Sequence, residues 1–119
     1  MLDKDLFAGM IRLHVLHHAC KRPVYGLGMI EELRRHGYEI SAGTLYPMLH
    51  RLEAKQYLSS HTERSGSTSA RFYVITPLGR RALGAARAKV KELFGELFED
   101  DDAVDTVRRA APRRRRTGH

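Results

Sequence analysis

Three closely spaced histidines are the first groups in this chain that could do chemistry. His14, His17 and His18 form a His-x-x-His-His pattern, and on a helix His14 shares a face with His17 or His18 at an offset of three or four. Imidazoles so placed can hold a zinc-type ion. A third imidazole or carboxylate must then come from another element, and no companion motif supplies it. The expectation is no metal and no other cofactor, with the imidazoles packing, hydrogen-bonding or titrating at an interface. Cys20 is the single cysteine; it can form no intrachain disulfide and reads as a small hydrophobe on an apolar helical face. Gly26 and Gly28 lie in a helical pattern with no strand before them, and no nucleophile elbow or catalytic Cys/His pair occurs. The chain is not expected to be an enzyme.

A second group of residues suits an anion. Thr44, Tyr46, Pro47, His50, Arg51 and Ala54 lie away from the apolar stripe of Leu45, Met48, Leu49 and Leu52 on a helical wheel, so hydroxyl, imidazole and guanidinium groups point outward. Arg64 and Arg71 flank a short polar stretch that contains no acid. Such groups contact phosphates or base edges, although each set alone also fits a solvated surface. The net charge of +7, most of it within residues 1–98, favours a polyanionic partner, nucleic acid before membrane.

The elements that must position these groups follow from periodicity. Leu6, Met10, Leu13, Leu16 and Cys20, widened by Ile11 and Val15, predict a first helix closed by Lys21-Arg22-Pro23. A second runs over about 25–35, with Leu27, Ile30 and Leu33 or Met29 inward and Gly37 as its left-handed stop. Pro47 is comfortable only in a first turn, so either Thr44 caps the third helix or an earlier start at Ser41 leaves a kink; the Thr44 start is preferred, with 41–43 as a lead-in turn and Gln56 continuing the inward face. Residues 57–62 and 71–75, rich in aromatic and β-branched types, predict two strands joined by a flexible hairpin tip at 64–69. Thr76-Pro77 opens the longest helix, 77–98. Its Leu83, Ala86, Val90, Leu93 and Leu97 repeat every 3.5 residues, widened by Phe94 and Phe98, and such a seam seeks another helix. The fold expected is mainly α with a small β-hairpin: a winged helix-turn-helix over 1–76, a C-terminal dimerisation helix over 77–98 and a charged, disordered tail over 99–119. The acidic run 99–102 and the arginine run 113–116 read as solvated tail, the latter with an equal claim to nonspecific DNA affinity.

One segment is more specific. Tyr38-Glu39-Ile40-Ser41-Ala42-Gly43-Thr44-Leu45-Tyr46-Pro47-Met48-Leu49-His50-Arg51-Leu52-Glu53 resembles the signature of PadR-type regulators, a Ser-x-Gly-Thr-Leu-Tyr-Pro core followed by Leu-x-x-Leu-Glu. Tyr25-Gly26 is similar to that family's second helix, and Tyr73-Val74-Ile75-Thr76-Pro77-Leu78-Gly79 to its strand-to-helix junction. The resemblance spans about 6–98 and is to the branch with a single C-terminal helix. It implies a homodimeric transcriptional repressor on an inverted-repeat operator in double-stranded DNA. It places DNA contacts on Ser41, Thr44, Tyr46, His50 and Arg51, on Tyr25, and on the wing arginines Arg64 and Arg71. His50 departs from the family, whose members often carry a basic residue near it. Dimerisation falls to Leu6, Met10 and Leu13 of the first helix with Leu83, Val90, Leu93, Phe94 and Leu97 of the last. A small aromatic effector at the dimer interface is also implied, but without tryptophan the tryptophan-lined drug pocket of multidrug-binding relatives cannot be built.

The hydrophobic fraction of 42% is ordinary for a globular domain, and no apolar run is long enough for a bilayer. The charged start lacks the order of a signal peptide, so the expected compartment is the cytoplasm. The rival to DNA binding is a winged helix that docks on RNA or protein, because fold does not fix function.

Overall fold

The computed structural model describes residues 3–99, of which 3–83 form one compact unit and 84–99 belong to a second. Glu99, expected to open the disordered tail, is still helical, and the rest of the tail expected over 99–119, including the remainder of the acidic run 99–102 and the arginine run 113–116, lies outside the described residues. Helix α1 (Lys4–Lys21) begins at Asp3, whose carboxylate accepts the Leu6 N–H at 3.2 Å, and it ends where Arg22 turns extended before Pro23. Its buried face is Ile11, Val15, Leu16 and Ala19. The inward side is thus one edge of the broad apolar stripe, and Leu6 and Met10 at the other edge stay exposed.

Val24–Tyr25 forms a two-residue strand, β1, too short to show alternation in sequence. Helix α2 (Gly26–Arg35) buries Gly26, Met29 and Leu33 and half-buries Ile30, whereas Leu27, expected inward, is exposed: the buried face is centred on Met29 and Leu33, and Leu27 falls on the solvent side. Gly37 stops it at φ +89, with Gly37 N–H on the Arg34 carbonyl and Tyr38 N–H on that of Leu33, both at 2.9 Å. These bonds satisfy two of the orphan carbonyls at a helix end.

Helix α3 (Ala42–Ala54) starts two residues before Thr44, with Ser41 in the N-cap position and Pro47 inside the helix. Pro47 has no N–H to offer the Gly43 carbonyl. Gly43 is exposed, so water can replace that donor and offset part of the cost of an interior proline. Leu45, Met48, Leu49 and Leu52 are buried as expected. Gln56 is not inward: it is exposed, takes φ +67 and closes the helix, while Tyr57 N–H reaches the Leu52 carbonyl at 3.0 Å.

Strands β2 (Leu58–Ser65) and β3 (Thr68–Ile75) pair antiparallel, and β1 adds to the far side of β3, giving a three-stranded sheet of order β1-β3-β2. The predicted flexible tip is mostly ladder. Only Gly66 and Ser67 lie between the paired Ser65 and Thr68, and positive φ at Gly66 alone is the pattern of a tight II′ hairpin.

Helix α4 (Pro77–Phe94) is capped by Thr76, whose hydroxyl accepts the Gly79 N–H at 2.9 Å and donates to the Gln56 carbonyl at 2.6 Å. A Cβ on Gly79 would collide with the Tyr57 carbonyl, so only glycine lets the helix start so near β2. The chain continues as a π-helical turn at Gly95–Glu99. In the first unit Val15, Leu33, Leu45, Leu49, Leu58 and Tyr73 are almost fully buried in one core joining α1, α2, α3 and the sheet. No helix among the described residues is long and apolar enough to cross a membrane.

Candidate nucleic-acid interface

The N-terminal end of α3 presents donors outward. Ser41 is extended, and its side chain does not cap the helix; its Oγ lies 3.3 Å from Thr44 Oγ1. Ala42 and Gly43, in the first turn, have no helical acceptor for their N–H groups, and the helix dipole leaves partial positive charge there. Two amides and two hydroxyls therefore stand where a phosphate oxygen would be favoured. Pro47, His50, Arg51 and Ala54 are exposed along the same helix. Their size and chemistry suit a major groove, with Arg51 able to form a bidentate contact.

Tyr46 is placed differently from its expected outward position. It is half-buried, packs against the core, and its ring lies on the backbone of Gly26 at the start of α2. A Cβ on Gly26 would fall 2.6 Å from Tyr46 Cε1 and closer still to the end of the phenol. Tyr46 thus fixes the angle between the two helices of the helix-turn-helix. Tyr25 is part exposed on β1, with its ring 5.3 Å from that of Phe72 and close over Gly28. Phe72 stacks in turn on His61 at 5.9 Å, so one sheet face carries an aromatic row across all three strands.

The opposite face of the hairpin carries both arginines. Register sets Ser60, Thr62 and Arg64 against Tyr73, Arg71 and Ser69. Arg71 donates to Ser60 Oγ at 2.8 Å, and Ser60 donates to Glu53 Oε2 at 2.6 Å. This relay ties β3 through β2 to the last turn of α3. Arg71 therefore holds the wing, whereas Arg64 is exposed one pair from the turn and its guanidinium is open to solvent. Burial, with Glu53 nearby, pushes the Tyr73 phenol above its ordinary range, so it stays neutral at the wing root. Glu53 and Ser60 were not singled out by sequence; the signal was the glutamate closing the Leu-x-x-Leu-Glu string.

The residues expected at a dimer interface divide. Leu6 and Met10 are exposed on α1, and Leu13 is partly buried against the core. Leu83 is corrected: at 8% exposure it belongs to the core of the first unit and is not available to a partner. In the second unit Val90, Leu93, Phe94 and Leu97 are about half exposed, as is Phe98, whose ring lies 4.7 Å from that of Phe94.

Residues 15–85 match the family described as the transcriptional regulator PadR-like family. The chain is 47% identical over 88 residues to Transcriptional regulator Rv3488 of Mycobacterium tuberculosis, covering 74% of this chain and 82% of that protein. It is similar in structure to a PadR family transcriptional regulator from Eggerthella lenta, at TM-score 0.72 and 32% identity over 80% of this chain and 84% of the other. A PadR-like transcription factor from Bacteroides fragilis superposes at TM-score 0.70 and 28% identity, over 79% and 92%.

Proposed function

This chain belongs to the PadR-like family of transcriptional regulators, and from that premise we propose that it is a cytoplasmic homodimer that binds an inverted-repeat operator and represses transcription. The observation that carries this reading is the outward end of α3, where Ser41, Thr44, His50 and Arg51 are displayed beside a wing held in place by Glu53, Ser60 and Arg71. Arg51 and His50 read base edges, the α3 amides and Arg64 hold phosphates, and Tyr25 supports the flank of the head. Tyr46 serves mainly to set the angle of α3.

The dimer is formed by the apolar residues left exposed: Leu6 and Met10, with Leu13 behind them, and Val90, Leu93, Phe94 and Leu97. Large exposed side chains at helical spacing are costly to leave in water and favour a second copy. A small aromatic effector bound at that interface would shift the spacing of the two heads and release the operator. Titration of the purified protein with duplex from upstream of its own gene, at several salt concentrations and against unrelated duplex, tests the reading. Competitor-resistant binding that weakens with salt is expected; binding to both duplexes equally would favour a protein or RNA partner instead.

A further inference from the structure

Folding brings to the histidines of α1 the ligands that their own segment lacks. His14 and His18 stand one turn apart on α1, and His36, at the C-cap of α2, meets them so that one ring nitrogen of each lies within 4.8 Å of the others. The His14 and His36 rings are 4.6 Å apart between centroids. Glu32, one turn before His36, places Oε2 3.6 Å from His18 Nε2 and 3.3 Å from His36 Nε2. Its other oxygen is held by Arg35, which orients the carboxylate toward the imidazoles. The ring of Tyr38, itself buried, stands edge-on 5.4 Å from His14 and walls one side.

We propose that His14, His18, His36 and Glu32 form a binding site for one divalent transition-metal ion of the zinc type. A tetrahedral ion with bonds of about 2.0–2.1 Å places neighbouring ligand atoms roughly 3.3–3.4 Å apart. The carboxylate already sits near that distance from two imidazoles, and the imidazoles need close by only about 1.4 Å or less. Three imidazoles and one carboxylate suit zinc, cobalt, nickel or copper; magnesium and calcium require oxygen ligands. The set is half-buried with His36 exposed, so an ion can enter from solvent. Bound there, it clamps α1 to the end of α2 that leads into α3. His17 is exposed and lies edge-on to His18, outside the set.

The test is a titration of the tag-free, full-length, chelator-treated protein with Co2+, followed by Zn2+. The expected result is one Co2+ per chain with the intense visible bands of a tetrahedral site, displaced by Zn2+ and unaffected by Mg2+. H36Q and H14Q should each weaken binding roughly tenfold or more, since even outer-shell losses cost that much, while H17Q should bind as wild type does. Zn2+ should also raise the melting temperature of the wild type clearly more than that of H36Q at the same concentration, which separates ligation from a folding defect. Saturation below one Co2+ per chain, a weak six-coordinate spectrum, or binding lost in H17Q and kept in H36Q would overturn the site.

Discussion

The phenol of Tyr46 on α3 rests on the backbone of Gly26 at the N-terminus of α2, leaving no room for a Cβ. The Tyr-Gly of one sequence segment and the Leu-Tyr-Pro of another are the two halves of one contact. That contact holds α3 at a fixed angle to α2.

Gly26→Ala should therefore destabilise the fold by about 1–3 kcal/mol through overpacking, lowering the denaturation midpoint without changing the denaturant slope. Adding Tyr46→Ala should recover part of that loss, so that the two changes are strongly non-additive in a double-mutant cycle. Additive costs would mean that the pair does not set the helix angle.

The two wing arginines should behave differently. Arg64→Ala removes one phosphate contact, which should weaken operator and competitor duplex alike and lower the salt slope by roughly 0.9. Arg71→Ala and Ser60→Ala break the relay to Glu53, so both should also cost on the order of 1 kcal/mol in stability. Chemical denaturation beside salt-dependent titration distinguishes them; equal stability in all three variants would count against the relay.

Val90→Glu with Leu97→Glu should give a folded monomer by sedimentation, since both side chains are exposed within the chain. Leu83→Ala should leave association intact and instead cost about 2–5 kcal/mol in folding, because that side chain lies in the core. A dimer that survives the double glutamate variant would place the interface elsewhere.

Acidification should weaken the metal-free protein. Burial holds His14 below its ordinary value, helped by the neighbouring His36, His18 and His17 and opposed by Glu32. His18 is lowered by burial too, with His17, His36 and Lys21 assisting and Glu32 opposing. The unfolded chain then takes up protons first, so stability should be level above pH about 6.5 and fall as the pH drops through the lower native values. Melting temperatures across that range check this; a stability that rises on acidification would show the cluster to be held together by charge.

Much of this organisation was legible in sequence. Period marked all four helices, Gly37 marked a left-handed stop and Thr76 a cap, because these depend on local backbone chemistry, but α3 starts two residues before Thr44, because Pro47 is tolerated inside the helix. Tertiary contacts decided the rest. Tyr46 lies off the apolar stripe on a wheel, and only the missing side chain at Gly26 opens the space its ring fills. Strand β1 exists because β3 offers an edge to Val24 and Tyr25. His36 joins His14 and His18 through the packing of α2 on α1, which no linear spacing encodes. Leu83 fits the repeat of the last helix but is claimed by the core.

The most direct test of the central claim is selection of bound sites by the wild-type protein from a random duplex library. The account predicts an inverted repeat whose half-sites are centred about 10–10.5 base pairs, or a multiple of that, apart, as two winged heads of one dimer require. Failure to enrich any sequence, or enrichment of a single asymmetric site, would contradict it.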